Sequence, residues 1–399
     1  MWGVVRSRLP LVALVAAVGF QLRAVVLAVP PVLPAIRDDL HLTFTAAGAL
    51  TALPVLCLGA AAVPGAFLVN RFGARLVVGA GTAGLGTAAL LRLAPPEPVA
   101  LFAFSALMAL CVAVAQPAMT VIVRAWFPGA VQRAGTVFAS ALGFGGLGGS
   151  VLTVRLADLA GWRGSFVFWS LLALAVGLAW LVVAPGHAGA SDRQLQPTGL
   201  RGLLRDRAVW HVAALFGGQS LVFYAAASWI PFELRGTSSA YLSLVLLLLN
   251  LVNVPVMFLL LALSWPWATS RRFYALAGGL MTAGSITLAA GTPALAWLWV
   301  VVLGVGTAMT FAGTITLPAL FAGPGQAAGY SAIVLTAGYA ISFAGPFLGG
   351  VLLDRTHAIS SPFWFMSAVA AGVALLGLTL PRRDAEAEPE PALAATSGR

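Results

Sequence analysis

No lysine occurs in this chain, acidic residues are few, and only two cysteines are present; all 22 basic residues are arginines. The missing lysine reads as a coding bias toward GC-rich codons and carries no mechanism. Charged residues make up 9% of the 399 positions and hydrophobic ones 60%, and the mean hydropathy is +0.97. So few polar side chains cannot cover a water-soluble globule of this size, so lipid must be the solvent for much of the surface. Cys57 and Cys111 both fall inside apolar runs, which excludes a disulfide framework or a cysteine metal cluster. A net charge of +10 could suit nucleic acid, but the arginines stand singly or in pairs between apolar runs and form no patch, so no nucleic-acid partner is expected. The four histidines show no ligand spacing and no nucleophile lies beside a base, so neither a cofactor nor enzymatic chemistry is expected.

What is abundant is apolar sequence in lengths near the roughly 20 residues that cross a hydrocarbon core. Runs fall at about 10–34, 44–69, 76–94, 99–123, 134–157 and 164–185, then at 208–232, 239–263, 273–291, 294–319, 327–353 and 362–380. Arg6 and Arg8 before the first run could open a signal peptide, but the run exceeds a signal core and no small-residue cleavage site follows. It is read as the first membrane helix. The predicted fold is therefore an all-α membrane protein with twelve transmembrane helices. An N-terminal six-helix bundle occupies 1–185, a cytoplasmic linker 186–207, a C-terminal six-helix bundle 208–381 and a disordered cytoplasmic tail 382–399.

Arginines in alternate loops set the orientation, because cytoplasmic loops hold the excess. With both termini inside, the inner side carries Arg6, Arg8, Arg71, Arg75, Arg124, Arg133, Arg193, Arg201, Arg205, Arg207, Arg271, Arg272, Arg382, Arg383 and Arg399. The outer side carries only Arg37, Arg92, Arg155, Arg163, Arg235 and Arg355. The expected location is a bacterial inner membrane, multi-pass with both termini cytoplasmic, and the expected form is a monomer.

An internal repeat supports the two halves. Gln132-Arg133-Ala134-Gly135 opens the fifth run and Gln326-Ala327-Ala328-Gly329 the eleventh; each leads through a glycine-rich helix to an aspartate, Asp158 or Asp354, and then to Phe168-Trp169 or Phe363-Trp364. Six helices per half is an even number, so the halves lie parallel about an axis along the membrane normal, the arrangement of the major facilitator fold.

Arg23 sits midway along the first run, and no aspartate or glutamate lies inside any of the twelve. A charge at that depth costs about 2.5–3.5 kcal/mol on insertion scales, so it should face a water-filled cavity or a partner. A free guanidinium there is suited to holding a small anion through its forked donors. The structural alternative is that Arg23 caps carbonyls freed at a helix break. Further polar residues fall on helices expected to line the same cavity: Gln116 before Pro117, where the proline is expected to break the fourth helix; Gln219, Ser220 and Tyr224 in the seventh; Asn250 and Asn253 in the eighth; Thr336 and Tyr339 in the eleventh. Each alone could be a plain interhelical hydrogen bond. The run Gly143-Phe144-Gly145-Gly146-Leu147-Gly148-Gly149 lacks a Lys-Ser/Thr ending and a preceding strand, so it is read as a helix-packing surface and not as a phosphate loop.

Leu22-Arg23 followed by Pro31-Val32-Leu33-Pro34-Ala35-Ile36-Arg37-Asp38-Asp39-Leu40 resembles the first helix and outer loop of the cyanate permease and 2-nitroimidazole transporter branch of the major facilitator superfamily. The likeness continues through Arg71-Phe72-Gly73-Ala74-Arg75, Phe127-Pro128, Gly161-Trp162-Arg163, Gln219-Ser220, Tyr224, Trp229-Ile230-Pro231 and Gly345-Pro346. Gln21 and Ala24 depart from the branch beside the arginine, and Asn70 stands where the wider superfamily has an aspartate. The resemblance implies a secondary transporter working by alternating access on a small, anionic or polar solute. It also implies a gating role for the loop of Asn70, Arg71, Gly73 and Arg75. The alternatives are an exporter of the same fold driven by a coupling proton, which would lack the usual intramembrane carboxylate, and a non-transporting sensor, which would be expected to carry a larger soluble domain.

Overall fold

The computed structural model describes residues 9–60, 62–95, 97–185, 200–262, 267–323 and 326–381. The predicted tail, the linker segment 186–199, Arg6, Arg8 and Arg193 lie outside the described residues. The helices in order are α1 (Leu9–Leu27), α2 (Leu33–Asp39), α3 (Phe44–Ala60), α4 (Ala62–Phe72), α5 (Ala74–Leu91), α6 (Glu97–Trp126), α7 (Val131–Val183) and the short α8 (Leu200–Leu203). They continue with α9 (Arg207–Glu233), α10 (Ser239–Leu251), α11 (Asn253–Ala262), α12 (Arg271–Ala289), α13 (Ala296–Phe321), α14 (Ala327–Thr356) and α15 (Ser361–Leu378), and no strand occurs among the described residues.

Each of the twelve apolar runs coincides with a helix, and nine helical segments among the described residues are long and apolar enough to cross a membrane. One of the nine is the 53-residue α7, which is two helices: Gly161, at φ 68° and ψ 175°, turns the chain between the fifth and sixth runs. That positive φ is open to glycine and strained for other residues. The second run (α3 with α4) and the ninth (α12, with Arg271 and Arg272 at its start) are shorter or more polar than the nine.

Four local expectations are corrected. Arg37, Asp38 and Asp39 do not lie in a loop but close the helix α2. Pro117 does not break its helix: α6 runs through it from Glu97 to Trp126, a single missing N–H being tolerated inside a packed bundle. Arg92, counted as an outer-loop cation, is fully buried, with its guanidinium 4.3 Å from the Phe166 ring centre and Nε donating to the Ala89 carbonyl at 3.2 Å. The eighth run divides at Val252 into α10 and α11, where Pro255 removes a helical donor.

Two apolar cores form. One is built entirely from the first half, from Val15 to Ala184. The other belongs to the second half but takes in Val29, Val32, Leu33, Ile36, Ala47, Leu50, Trp162 and Phe166 from the first. The halves therefore share a core at the end that carries Asp38, Asp39, Asp158 and Asp354, here called the acidic end. The opposite, arginine end carries Arg71, Arg75, Arg124, Arg133, Arg205, Arg207, Arg271 and Arg272. The glycine run does pack helices: a Cβ on Gly145 or Gly149 would collide with the backbone of Phe20 or Ala24, so α1 and α7 meet backbone to backbone.

Candidate functional site

The first helix stops one turn after Arg23. Chain from Ala28 to Val32, with Pro30 and Pro31 in a single 3₁₀ turn, separates α1 from α2. Arg23 is half-buried, whereas Leu27, Ala28 and Val29 on the way to the acidic end are buried.

Its neighbours come from both halves. The guanidinium carbon lies 5.9 Å from the ring centre of Tyr224 on α9, and the hydroxyls of Tyr224 and of Tyr339, on α14, lie near it. Gly146 on α7 makes room: a Cβ there would come within 3.3 Å of Arg23 Cγ and 3.8 Å of Asn250 Oδ1. Arg23, Tyr224, Asn250 and Tyr339 thus form one cluster. None of the ion pairs among the described residues includes Arg23. No backbone carbonyl among the described residues accepts from it, so the capping alternative finds no support. A cation ringed by two phenols and an amide is a site for a small anion with acceptor oxygens or nitrogens, with the aromatic faces adding cation–π contact.

The other expected site residues are placed differently. Asn253 Nδ2 donates to the Asn250 carbonyl at 3.2 Å and Asn250 Nδ2 to the Leu246 carbonyl at 2.9 Å; both amides serve the break between α10 and α11, and only Asn250 also faces Arg23. Gln219 is buried, with Nε2 donating to Ser220 Oγ at 2.6 Å, and it forms no hydrogen bond to the cluster among the described residues. Gln116 is half-buried on α6 and forms no hydrogen bond to the cluster among the described residues. Reasoning from the sequence missed Thr51 and Ser228. Their hydroxyls, 3.0 Å apart, bridge α3 and α9 beside a void of about 10 Å³ that Tyr224 also lines, room for about one water. A lone hydroxyl in an apolar run gives little signal of this.

The loop expected to gate is tied to its own half. Arg75 donates to the Leu181 carbonyl at 2.7 Å, the Arg75 carbonyl accepts from Trp180 Nε1 at 2.9 Å, and Trp180 stacks on Trp126 at 5.0 Å between ring centres. Gly73 takes φ +81° just before α5, Arg71 lies 5.4 Å from the Phe72 ring centre, and Asn70 is exposed.

Helices long and apolar enough to cross a membrane, packed in two cores with a polar cluster where they meet, suit a membrane transporter. The Major Facilitator Superfamily model matches residues 11–346, and the chain belongs to that family. It is 27% identical over 379 residues to the 2-nitroimidazole transporter of Escherichia coli (strain K12), covering 94% of this chain and 95% of that one. It is 25% identical over 368 residues to the cyanate transport protein CynX of the same organism, covering 90% and 94%, and 26% identical over 358 residues to the uncharacterized transporter YycB of Bacillus subtilis (strain 168), covering 88% of each. In fold it is similar to a bacterial homolog of the human lysosomal transporter Spinster, at TM-score 0.73 and 14% identity, covering 94% of this chain and 93% of that one.

Proposed function

We propose that this transporter carries a small anion by alternating access, with the anion held on Arg23 between Tyr224, Asn250 and Tyr339. The halves 1–185 and 208–381 would rock about this cluster, with the arginine end cytoplasmic and the chain acting as a monomer. The observation that carries the reading is that a guanidinium deep in the bundle has neighbours from both halves and no carboxylate partner. An unpaired cation at that depth is costly unless a ligand or water answers it, and a ligand gripped from both sides is exposed to one face at a time. Arg71 and Arg75 close the cytoplasmic side in the opposite state. The relatives named for cyanate and for 2-nitroimidazole supply one anionic and one neutral probe.

The test is uptake into proteoliposomes of labelled cyanate and labelled 2-nitroimidazole by the unmodified protein and by Arg23→Ala. Cyanate uptake that Arg23→Ala abolishes is the expected result; cyanate uptake that survives the substitution, or uptake of the neutral probe alone, contradicts the reading. A coupling proton would show as loss of uptake on adding a protonophore.

A further inference from the structure

The aspartates that mark the internal repeat have no part in the Arg23 cluster, yet each reaches across the seam between the halves. Asp354, in the last turn of α14, accepts from the backbone N–H of Phe44 at 2.9 Å and of Thr45 at 2.8 Å, and from Thr45 Oγ1 at 2.6 Å. Phe44 and Thr45 are the first two residues of α3, which lies in the other half. The next two donors of that helix are satisfied locally, Ala46 N by Thr43 Oγ1 at 3.1 Å and Ala47 N by the Thr43 carbonyl at 3.0 Å. Of the N–H groups that a helix start leaves without an intrahelical partner, those of Phe44, Thr45 and Ala46 are therefore satisfied, two of them by a carboxylate from the opposite half, and Ala47 N makes the first regular helical bond. A carboxylate at a helix N-terminus gains from charged hydrogen bonds and from the helix dipole together.

Asp158 repeats the arrangement in mirror order. It lies on α7 just before the Gly161 turn and accepts from Ser239 Oγ at 2.9 Å, and Ser239 is the first residue of α10 in the second half. Each half thus sends an aspartate from the end of its fifth helix to the start of the partner half's second helix. The backbones beside the Asp354 contact are close: a Cβ on Gly350 would strike the Phe44 and Thr45 backbone, and one on Gly48 the Pro346 carbonyl. Other acidic-end carboxylates behave differently. Asp39 and Glu97 both pair with Arg163, all within the first half. Asp38 crosses to Arg235 at 2.7 Å, but as an exposed ion pair of little worth.

We infer that Asp354 and Asp158 are a two-fold latch that holds the acidic end closed, with Asp354 the stronger member. Parting the halves at this end exposes the α3 start to water and strips its donors of the carboxylate. Removing the carboxylate therefore shifts the population toward the state open at the acidic end. The inference concerns the gate and holds for any solute.

The test uses purified full-length protein in detergent, with Cys57 and Cys111 replaced by alanine and a single reporter, Thr51→Cys. Thr51 is buried between the halves on the acidic side of Tyr224, so a soluble maleimide reaches it only when that end opens. Asp354→Asn is expected to speed labelling several-fold, Asp158→Asn less, and Asp39→Asn not at all, since its partners lie within one half. Thr45→Val removes one bond of the latch while leaving the carboxylate in place; it should speed labelling by a smaller factor and add little on top of Asp354→Asn. If Asp354→Asn does not fold, Thr45→Val against Asp39→Asn carries the comparison. Labelling rates equal to the reporter alone in monodisperse Thr45→Val or Asp354→Asn, or an equal rise in Asp39→Asn, overturn the latch.

Discussion

Arg23 stands where three conditions coincide: a helix end one turn away, a glycine opposite that leaves space, and two phenols from the other half. Each neighbour should contribute separately. Tyr224→Phe and Tyr339→Phe remove one hydroxyl each, and a hydrogen bond to a charged group is worth about 1.5–3 kcal/mol. Anion affinity should fall by about ten-fold or more in each, measured by titration with the same anion. Asn253→Ala should behave otherwise, because its amide serves the helix break. It should lower the melting temperature through loss of about 1 kcal/mol and leave anion affinity unchanged. Arg23 was legible in the sequence as a charge midway along an apolar run, with no acidic residue inside any of the runs. The division of labour between Asn250 and Asn253 was not, since spacing of three residues puts both on one face and says nothing about which amide the kinked backbone consumes.

Helix interfaces were legible where small residues cluster and hidden where proline was the only sign. The glycine run of α7 announced close packing, and the backbone of α1 is what it meets. Gly149→Val should therefore destabilise the fold by about 1–3 kcal/mol or more, because the backbone of Ala24 leaves no room and overpacking of this kind is not relieved by a rotamer change. Gly143→Ala, where a Cβ meets nothing within 4 Å, should melt like the parent or slightly higher. Thermal unfolding of the two variants in one detergent separates these outcomes. Proline signals cut both ways: Pro255 accompanies a real division of the eighth run, while α6 continues through Pro117. Whether a proline interrupts its helix depends on packing around it that the local sequence does not contain. Arg92 shows the same limit, because its position beside a predicted helix end looked exposed until Phe166 was found over it.

At the scale of the molecule, the parallel repeat, the twelve runs and the arginine imbalance are periodic or additive features, and these survive in sequence. The acidic end is joined by a shared core and by the Asp354, Asp158 and Arg235 contacts. Among the described residues the hydrogen bonds between halves extend inward as far as Thr336 to the Gly59 carbonyl, at 3.1 Å, and none reaches the arginines of the opposite end. Which end is closed is a property of pairings over about 300 residues of separation, as from Thr45 to Asp354, and no local pattern encodes it. The most direct measurement is a thermal-shift series on the purified protein in detergent, with cyanate and other small inorganic anions beside neutral 2-nitroimidazole, run in parallel on Arg23→Ala. Stabilisation by at least one anion that grows with its concentration and is absent in Arg23→Ala is the predicted result. Stabilisation only by the neutral compound, or an anion effect of equal size in Arg23→Ala, would contradict the account.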